Sequence, residues 1–431
     1  MKKHNSVPNM RFSGFEDEWK DKKLGKITKY VKGFAFESKL YTEDGIRIIK
    51  VTDLTNKKIK NENGSSTYIS ETMATKFKKY IIHQKDIIIT TVGSKTKLKS
   101  SSVGRAIYID MSKNYLLNQN LVKLTALSGF DSFFIYSQLE QPKYINYISK
   151  IERGNANQAN IEIKDLWNYI VKASSIKEQQ KIGNFFAKLD KLLDLQQQKI
   201  DKLELLKKAL LQKLFPKHDA KIPELRFKGF EDDWTDRKFV NCLTKIIDFR
   251  GKTPKKLGLS WSNNGKYRAL SAINVKNGFI DKNIDVHFGN YDLYKKWMGK
   301  TELEKGDILF TTEAPMGNIA IINDNEKYIL SQRTIAFRVD EKNINSRFLL
   351  YRLNTVSAKN KLMSLSTGGT AQGISQKNLS YLFISISNSI YEQKRIGNIL
   401  AKVDHLIYLE NKKLQNFQQV KKCLLQNMFV E

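Results

Sequence analysis

The chain has 431 residues, more than one ordinary hydrophobic core accommodates, so two or three domains of about 100–200 residues each are expected. With 41% hydrophobic and 11% aromatic residues and six prolines it can bury real cores, which excludes a disordered or fibrous protein. Its 74 Lys and Arg against 44 Asp and Glu leave a formal charge of +30, beyond what solubility requires, and point to an extended polyanion, DNA or RNA before a membrane surface.

The N-terminal MKKHNSVPNM is basic but has no apolar stretch behind it, and no apolar run is long enough to span a bilayer. A cytoplasmic protein without a membrane partner is the expectation. Two cysteines, Cys242 and Cys423, and five scattered histidines without HExxH spacing give no reason to expect a structural metal.

The chain repeats itself. VPNMRFSGFEDEW from Val7 recurs as IPELRFKGFEDDW from Ile222, an offset of 215 residues between Arg11 and Arg226. EQQKIGNFFAKLD from Glu178 recurs as EQKRIGNILAKVD from Glu392, an offset of 214. Between these blocks the halves correspond loosely: KDIIITTVGS from Lys85 with GDILFTTEAP from Gly306, YLLNQN from Tyr115 with YILSQR from Tyr328, and GNANQ from Gly154 with GGTAQ from Gly368. A shared scaffold with different loops suits two readers of one kind of object.

In each half, short β-rich runs come first: Ile46–Val51, Asp86–Val92 and Ala106–Ile109, then Tyr267–Ala272, Asp307–Thr312 and Ile319–Ile322. Helical periodicity follows over Ser132–Lys150 and Ser346–Met363. The fold class expected is α+β: two tandemly repeated mixed domains, 1–174 with the shared segment 7–24 and 216–388 with the shared segment 222–239. Each is followed by a long helix, 175–215 and 389–431.

SIKE at Ser175 and SIYE at Ser389 read as capping boxes that start these helices. Apolar residues then repeat at heptad spacing: Ile182, Phe185, Leu189, Leu192, Leu203, Leu206 and Leu210, and Ile396, Ile399, Val403, Leu406, Phe417, Val420 and Leu424. Both seams are interrupted at equivalent places, by Gln196 with Lys199 and by Glu410 with Lys413. A parallel pair would oppose Lys199 and Lys413, whereas an antiparallel pair sets Lys199 against Glu410 and Gln196 against Lys413. An antiparallel coiled coil is therefore expected; two amphipathic helices with solvated gaps are the plainer alternative. Helices of about 35 residues, about 50 Å long, would separate two contacts on DNA by up to about 15 base pairs.

The RFxGFEDxW openings, the paired EQxxIGNxxAKxD helix starts and STGGTAQGISQKNL from Ser366 to Leu379 together resemble the specificity subunits of type I restriction-modification systems. The resemblance covers essentially the whole chain, although RGNANQANIEIKDL from Arg153 departs from the pattern of its second copy. It implies two target-recognition domains that bind unlike half-sites of double-stranded DNA, and helices that dock two methylation subunits. It further implies restriction subunits in the full complex, and S-adenosylmethionine, ATP and magnesium in those partners, with no cofactor in this chain.

Phosphate contacts position a protein on DNA and base-edge contacts read sequence, so polar loop residues that differ between the halves are the best candidates for reading. In the first half these are Lys95, Lys97, Lys99 and Arg105, then Asn118, Gln119 and Asn120, whose amides suit adenine. In the second they are Arg250, Lys252, Lys255 and Lys256, then Asn318, Gln332 and Arg333, the last suited to guanine. A solvated loop residue is the plainer alternative for each. Trp19, Trp234 and the neighbouring Phe12, Phe15, Phe227 and Phe230 read as core or docking residues, and Gly154 and Gly368 as loop geometry.

No Pro-Pro pair exists to supply an amino-methyltransferase motif, and neither GKT, at Gly251 and at Gly299, has the first glycine of a phosphate loop. IEIK at Ile161 has the spacing of some nuclease motifs without a placed partner acid. No catalytic residue is assigned. An independently acting endonuclease and a bipartite DNA-binding regulator remain the alternative classes.

Overall fold

The computed structural model describes residues 7–55, 57–96, 102–217, 220–368 and 373–430. It divides into two compact units, Met1–Gln197 with Lys413–Glu431 and Gln198–Lys412, so each unit takes part of both long helices.

In the first unit a four-stranded antiparallel sheet orders Thr28–Lys32, Leu121–Ala126, Ile87–Thr90 and Ala106–Tyr108. A second sheet orders Thr67–Ile69, Ile46–Ile49, Tyr115–Leu117 and Ile81–Ile82, with a parallel pairing of Ile48 and Leu116. The run IIIT is buried at every position because it lies between two layers. Alternation sends Ile87 and Ile89 into the core beneath the helices and Ile88 into the core shared with the second sheet.

The second unit repeats this arrangement. Leu243–Asp248, Thr334–Val339, Ile308–Thr311 and Ile319–Ile321 form the antiparallel sheet, and Tyr267–Leu270 pairs in parallel with Tyr328–Leu330. Ile308 and Phe310 face one core and Leu309 the other. The stretches of helical periodicity are two helices each. Ser132–Leu139 is followed by Pro142–Ile151, which starts with proline at its first turn, where a missing N–H costs nothing. Ser346–Asn354 and Val356–Ser364 break at Thr355, whose hydroxyl caps the second by accepting from the Ala358 N–H.

The long helices are Ile176–Lys213 and Ile390–Asn427. In the first unit Ile182, Phe186 and the half-buried Leu189 pack on Leu424, Leu425, Met428 and Phe429, so the start of one helix lies on the end of the other. In the second unit Leu210, Leu214 and Phe215 pack on Ile396 and Leu400 in the same sense. The pairing is antiparallel, as expected. Lys421 Nζ stands 2.6 Å from Asp190 Oδ1 in the first unit, and its repeat equivalent in the second is Lys207 to Asp404, also 2.6 Å.

The seam differs from the expected one in phase. Leu192, Leu206, Leu406 and Val420 are exposed, whereas Phe186, Gln196, Ile200, Leu400 and Leu414 are buried. Adjacent apolar residues such as Leu192 and Leu193 offer two rows at heptad spacing, and packing of each helix against its own domain selects the other row. Ile182, Ile396 and Val403 are buried and Leu203 and Phe417 half-buried. Lys199 Nζ lies 2.5 Å from Glu410 Oε1. Gln196 is buried within the seam rather than interrupting it, and Lys413 Nζ stands 5.6 Å over the Phe417 ring.

The two repeated sequence blocks meet in each unit. Arg11 forks onto Glu178 at 2.7 and 2.9 Å, and Arg226 onto Glu392 at 2.8 and 3.1 Å. The expected capping boxes are thus half formed: Ser175 and Ser389 accept from the Glu178 and Glu392 amides, but the carboxylates turn to arginine. A charge-assisted fork outweighs a return to one exposed amide. Trp19 and Trp234 are buried beside these pairs, as core residues. Gly183 and Gly397 of the shared IGN are required by close approach, since a Cβ would collide with Asp131 Oδ1 at the first and stand 2.9 Å from Asn345 Oδ1 at the second, the caps of the neighbouring helices.

Candidate nucleic-acid interface

In each unit three segments converge at one end of the antiparallel sheet. The Thr91 N–H donates to Asn120 O at 2.9 Å and the Ile161 N–H to Thr91 O at 3.0 Å, which brings the hairpin residues 94–96 and 102–105, the turn 118–120 and the loop 154–160 together. In the second unit Thr312 donates to Arg333 O at 2.9 Å and Ile374 to Thr312 O at 3.1 Å, assembling the equivalent segments. A buried threonine staples each hairpin. Thr90 Oγ1 accepts from the Arg105 N–H at 3.0 Å and donates to Ser102 O at 2.8 Å; Thr311 Oγ1 accepts from the Asn318 N–H at 2.9 Å and donates to Pro315 O at 2.6 Å. The TT shared by KDIIITT and GDILFTT is this device. Asn120 and Arg333 are therefore equivalent positions with different side chains, and so are Arg105 and Asn318.

Of the candidate readers in the first unit, Lys95 is half-buried with its N–H on Ala156 O at 3.0 Å, and Lys97 and Lys99 lie outside the described residues. Gln119 is exposed, and Asn118 and Asn120 are half-buried in the same turn. Arg105 is half-buried. Its Nη1 donates to Thr55 O, its Nε and Nη2 are buried without a hydrogen-bond partner among the described residues, and burial lowers its pKa.

In the second unit Gln332 and Arg333 are exposed, Gln332 Nε2 lies 3.5 Å from Lys252 O, and Arg333 Nε lies 3.5 Å from Glu313 Oε1. Arg333 has a φ of +61°, the left-handed backbone of a tight turn tip. Lys255 and Lys256 are exposed, Lys256 Nζ bonding Gly251 O at 2.9 Å. Three of the candidates bond their own domain. Asn318 donates through Nδ2 to Val275 O at 2.9 Å; Arg250 forks onto Asp248, with Nη2 2.6 Å from Oδ2; and Lys252 Nζ donates to Trp297 O at 2.5 Å while lying 4.6 Å over Phe249.

Gln376 was not among the candidates, yet its Nε2 reaches Asp248 Oδ2 at 2.7 Å and places the segment 373–379 at the same surface. Burial pushes the Asp248 carboxyl up, but bonds from Arg250 and Gln376 outweigh it and hold the group below its usual range. Glu313 joins through its bridge to Gly373. Glu313 lies in the repeated GDILFTTEAP, while no local pattern announces the bond of Gln376 to Asp248; Gly154 and Gly368, read as loop geometry, have φ of +106° and +107°. Together the segments present exposed amides and cations on a tethered frame, an arrangement suited to hydrogen-bonding base edges and phosphates.

A family model described as the type I restriction modification DNA specificity domain matches residues 16–205 and again 232–419. The chain belongs to this family. It is a type I specificity protein with two target-recognition domains, and its function is DNA sequence recognition. The MjaVIII type I specificity subunit of Methanocaldococcus jannaschii is 24% identical over 435 residues, covering 95% of this chain and 91% of that one. The HindI specificity subunit of Haemophilus influenzae is 30% identical over 140 residues, 31% of this chain and 29% of that one. Among solved structures, the type I S subunit from M. genitalium shares the fold with a TM-score of 0.65 at 16% identity, covering 99% of both chains. Among the described residues of this specificity protein, no helix is long and apolar enough to cross a membrane.

Proposed function

We propose that this specificity protein is a non-catalytic subunit that reads an asymmetric, two-part site on double-stranded DNA, one half-site per recognition domain, and carries that address for a type I restriction-modification complex. The observation that carries the reading is the equivalence of Asn120 and Arg333: the same backbone position, held by the same bond from a buried threonine, presents an amide in one domain and a guanidinium in the other. An amide suits adenine and a guanidinium suits guanine, so the domains read different bases from one frame.

Two methylation subunits dock on the paired helices. Supporting this, Leu192 and Leu195 on the first helix and their repeat equivalents Leu406 and Leu409 on the second are exposed, apolar and turned out of the seam. S-adenosylmethionine belongs to those partners, and ATP and magnesium to restriction subunits. Footprinting of the chain with its methylation subunits tests the reading: two protected segments separated by an accessible spacer are expected, and one continuous patch overturns it.

A further inference from the structure

Arg105 and Asn318 each tie a recognition hairpin to a turn of the same domain, Arg105 through Thr55 O and Asn318 through Val275 O. That turn also reaches the long helices. In the first unit Lys57 Nζ lies 3.1 Å from Glu140 Oε1 and 3.5 Å from Asp190 Oδ1, and Lys58 pairs with Asp194. Asp190 and Asp194 are on the first long helix, and Lys421 of the second long helix stands 2.6 Å from both Glu140 and Asp190.

The second unit makes the same connection with other chemistry. The Gly278 N–H donates to Ile319 O at 2.7 Å, and a Cβ at Gly278 would stand 3.8 Å from both Lys207 Nζ and Asp404 Oδ2. Lys207 and Asp404 are the pair equivalent to Lys421 and Asp190. In both units, then, one turn bonds the recognition hairpin on one side and lies beside the inter-helix Lys–Asp pair on the other. The second approaches the pair with glycine backbone alone, and the first bonds the long helix with two lysine side chains.

We infer that this turn is a strap fixing the recognition domain on the helices, and that Lys57 and Lys58 are positioning residues for the spacing between the two half-sites. The inference rests on the bipartite reading above. A spacer changed by one base pair moves the second half-site by about 3.4 Å along the duplex and by about a tenth of a turn, so rejecting it requires a stiff attachment. A hairpin held only through its own sheet can follow the DNA; one tied through Thr55 to the helices cannot.

The test is methylation by the full chain with its methylation subunits, on duplexes carrying the native spacer, one base pair more and one less, and on duplexes with single changes in each half-site. For K57A/K58A, discrimination against the altered spacers should fall by about tenfold, while the preferred bases in both halves stay the same. K57R should restore the discrimination that K57A removes, which a change in bulk packing does not explain. K58A, which removes a half-exposed pair, gives the readout if the double variant folds poorly. An unchanged spacer profile in K57A/K58A and K58A overturns the strap. A wild-type chain with no two-part preference overturns instead the functional reading beneath it.

Discussion

Lys199 donates to Glu410 across the paired helices, 2.5 Å from Nζ to Oε1. The residues belong to different helices, 211 positions apart, and meet because the helices run antiparallel. Lys199→Glu and Glu410→Lys should each destabilise the chain by about 0.5–1 kcal/mol, the range of a partly exposed pair, and the double exchange should recover most of it. Chemical denaturation of the three variants measures this; no recovery in the double exchange contradicts the pairing.

Arg226→Ala should be costlier. Its partner Glu392 is buried, and although Ser387 and Trp234 also bond that carboxylate, its countercharge would be gone. A destabilisation of about 3 kcal/mol is expected, read as an early denaturation transition. A change below about 1 kcal/mol would mean that the fork is dispensable.

Glu140 sets an acid limit on the first unit. Burial pushes its carboxyl up, but Lys421 and Lys57 outweigh burial and hold it below the usual range. A depressed folded pKa contributes stability that is fully present above the unfolded value of about 4.3 and is lost as pH falls through the lower folded value. Glu140→Gln should be less stable than wild type at pH 6, and the gap should shrink below about pH 4. A gap independent of pH would remove Glu140 from the acid response.

Gln332→Ala and Arg333→Ala should change base preference in one half-site only, each by about 1–3 kcal/mol of discrimination. Asn318→Ala should instead lower stability and leave the bases read unchanged, because its amide is bonded to Val275 O. Binding assays on base-substituted duplexes distinguish them, and altered preference in both halves would contradict modular reading. Replacing Lys95, Lys97 and Lys99 together with alanine should flatten the salt dependence of binding, by about 0.9 in log–log slope for each phosphate no longer neutralised.

The duplication and the strands were legible because they rest on patterns present twice, the EQxxIGN starts and the TT runs, and the antiparallel helices because Lys199 faces Glu410. Helix phase was not, because Leu192 and Leu193 satisfy the same spacing and only packing against a domain chooses between them. Arg105, Arg250, Lys252 and Asn318 look like DNA ligands in sequence, since charge and a loop position are visible there. Thr55, Trp297 and Val275, which bond Arg105, Lys252 and Asn318, are brought close only by the fold, whereas Asp248 stands two residues from Arg250. Asp248 to Gln376 spans 128 residues, and no local pattern announces it.

The most direct test of two domains reading two separate half-sites is base-resolution mapping of methylation after coexpression of the chain with a methylation subunit. The account predicts modified bases confined to one asymmetric two-part sequence with a spacer of constant length and free base composition. Methylation at a single uninterrupted motif, or at sites sharing no sequence, would contradict it.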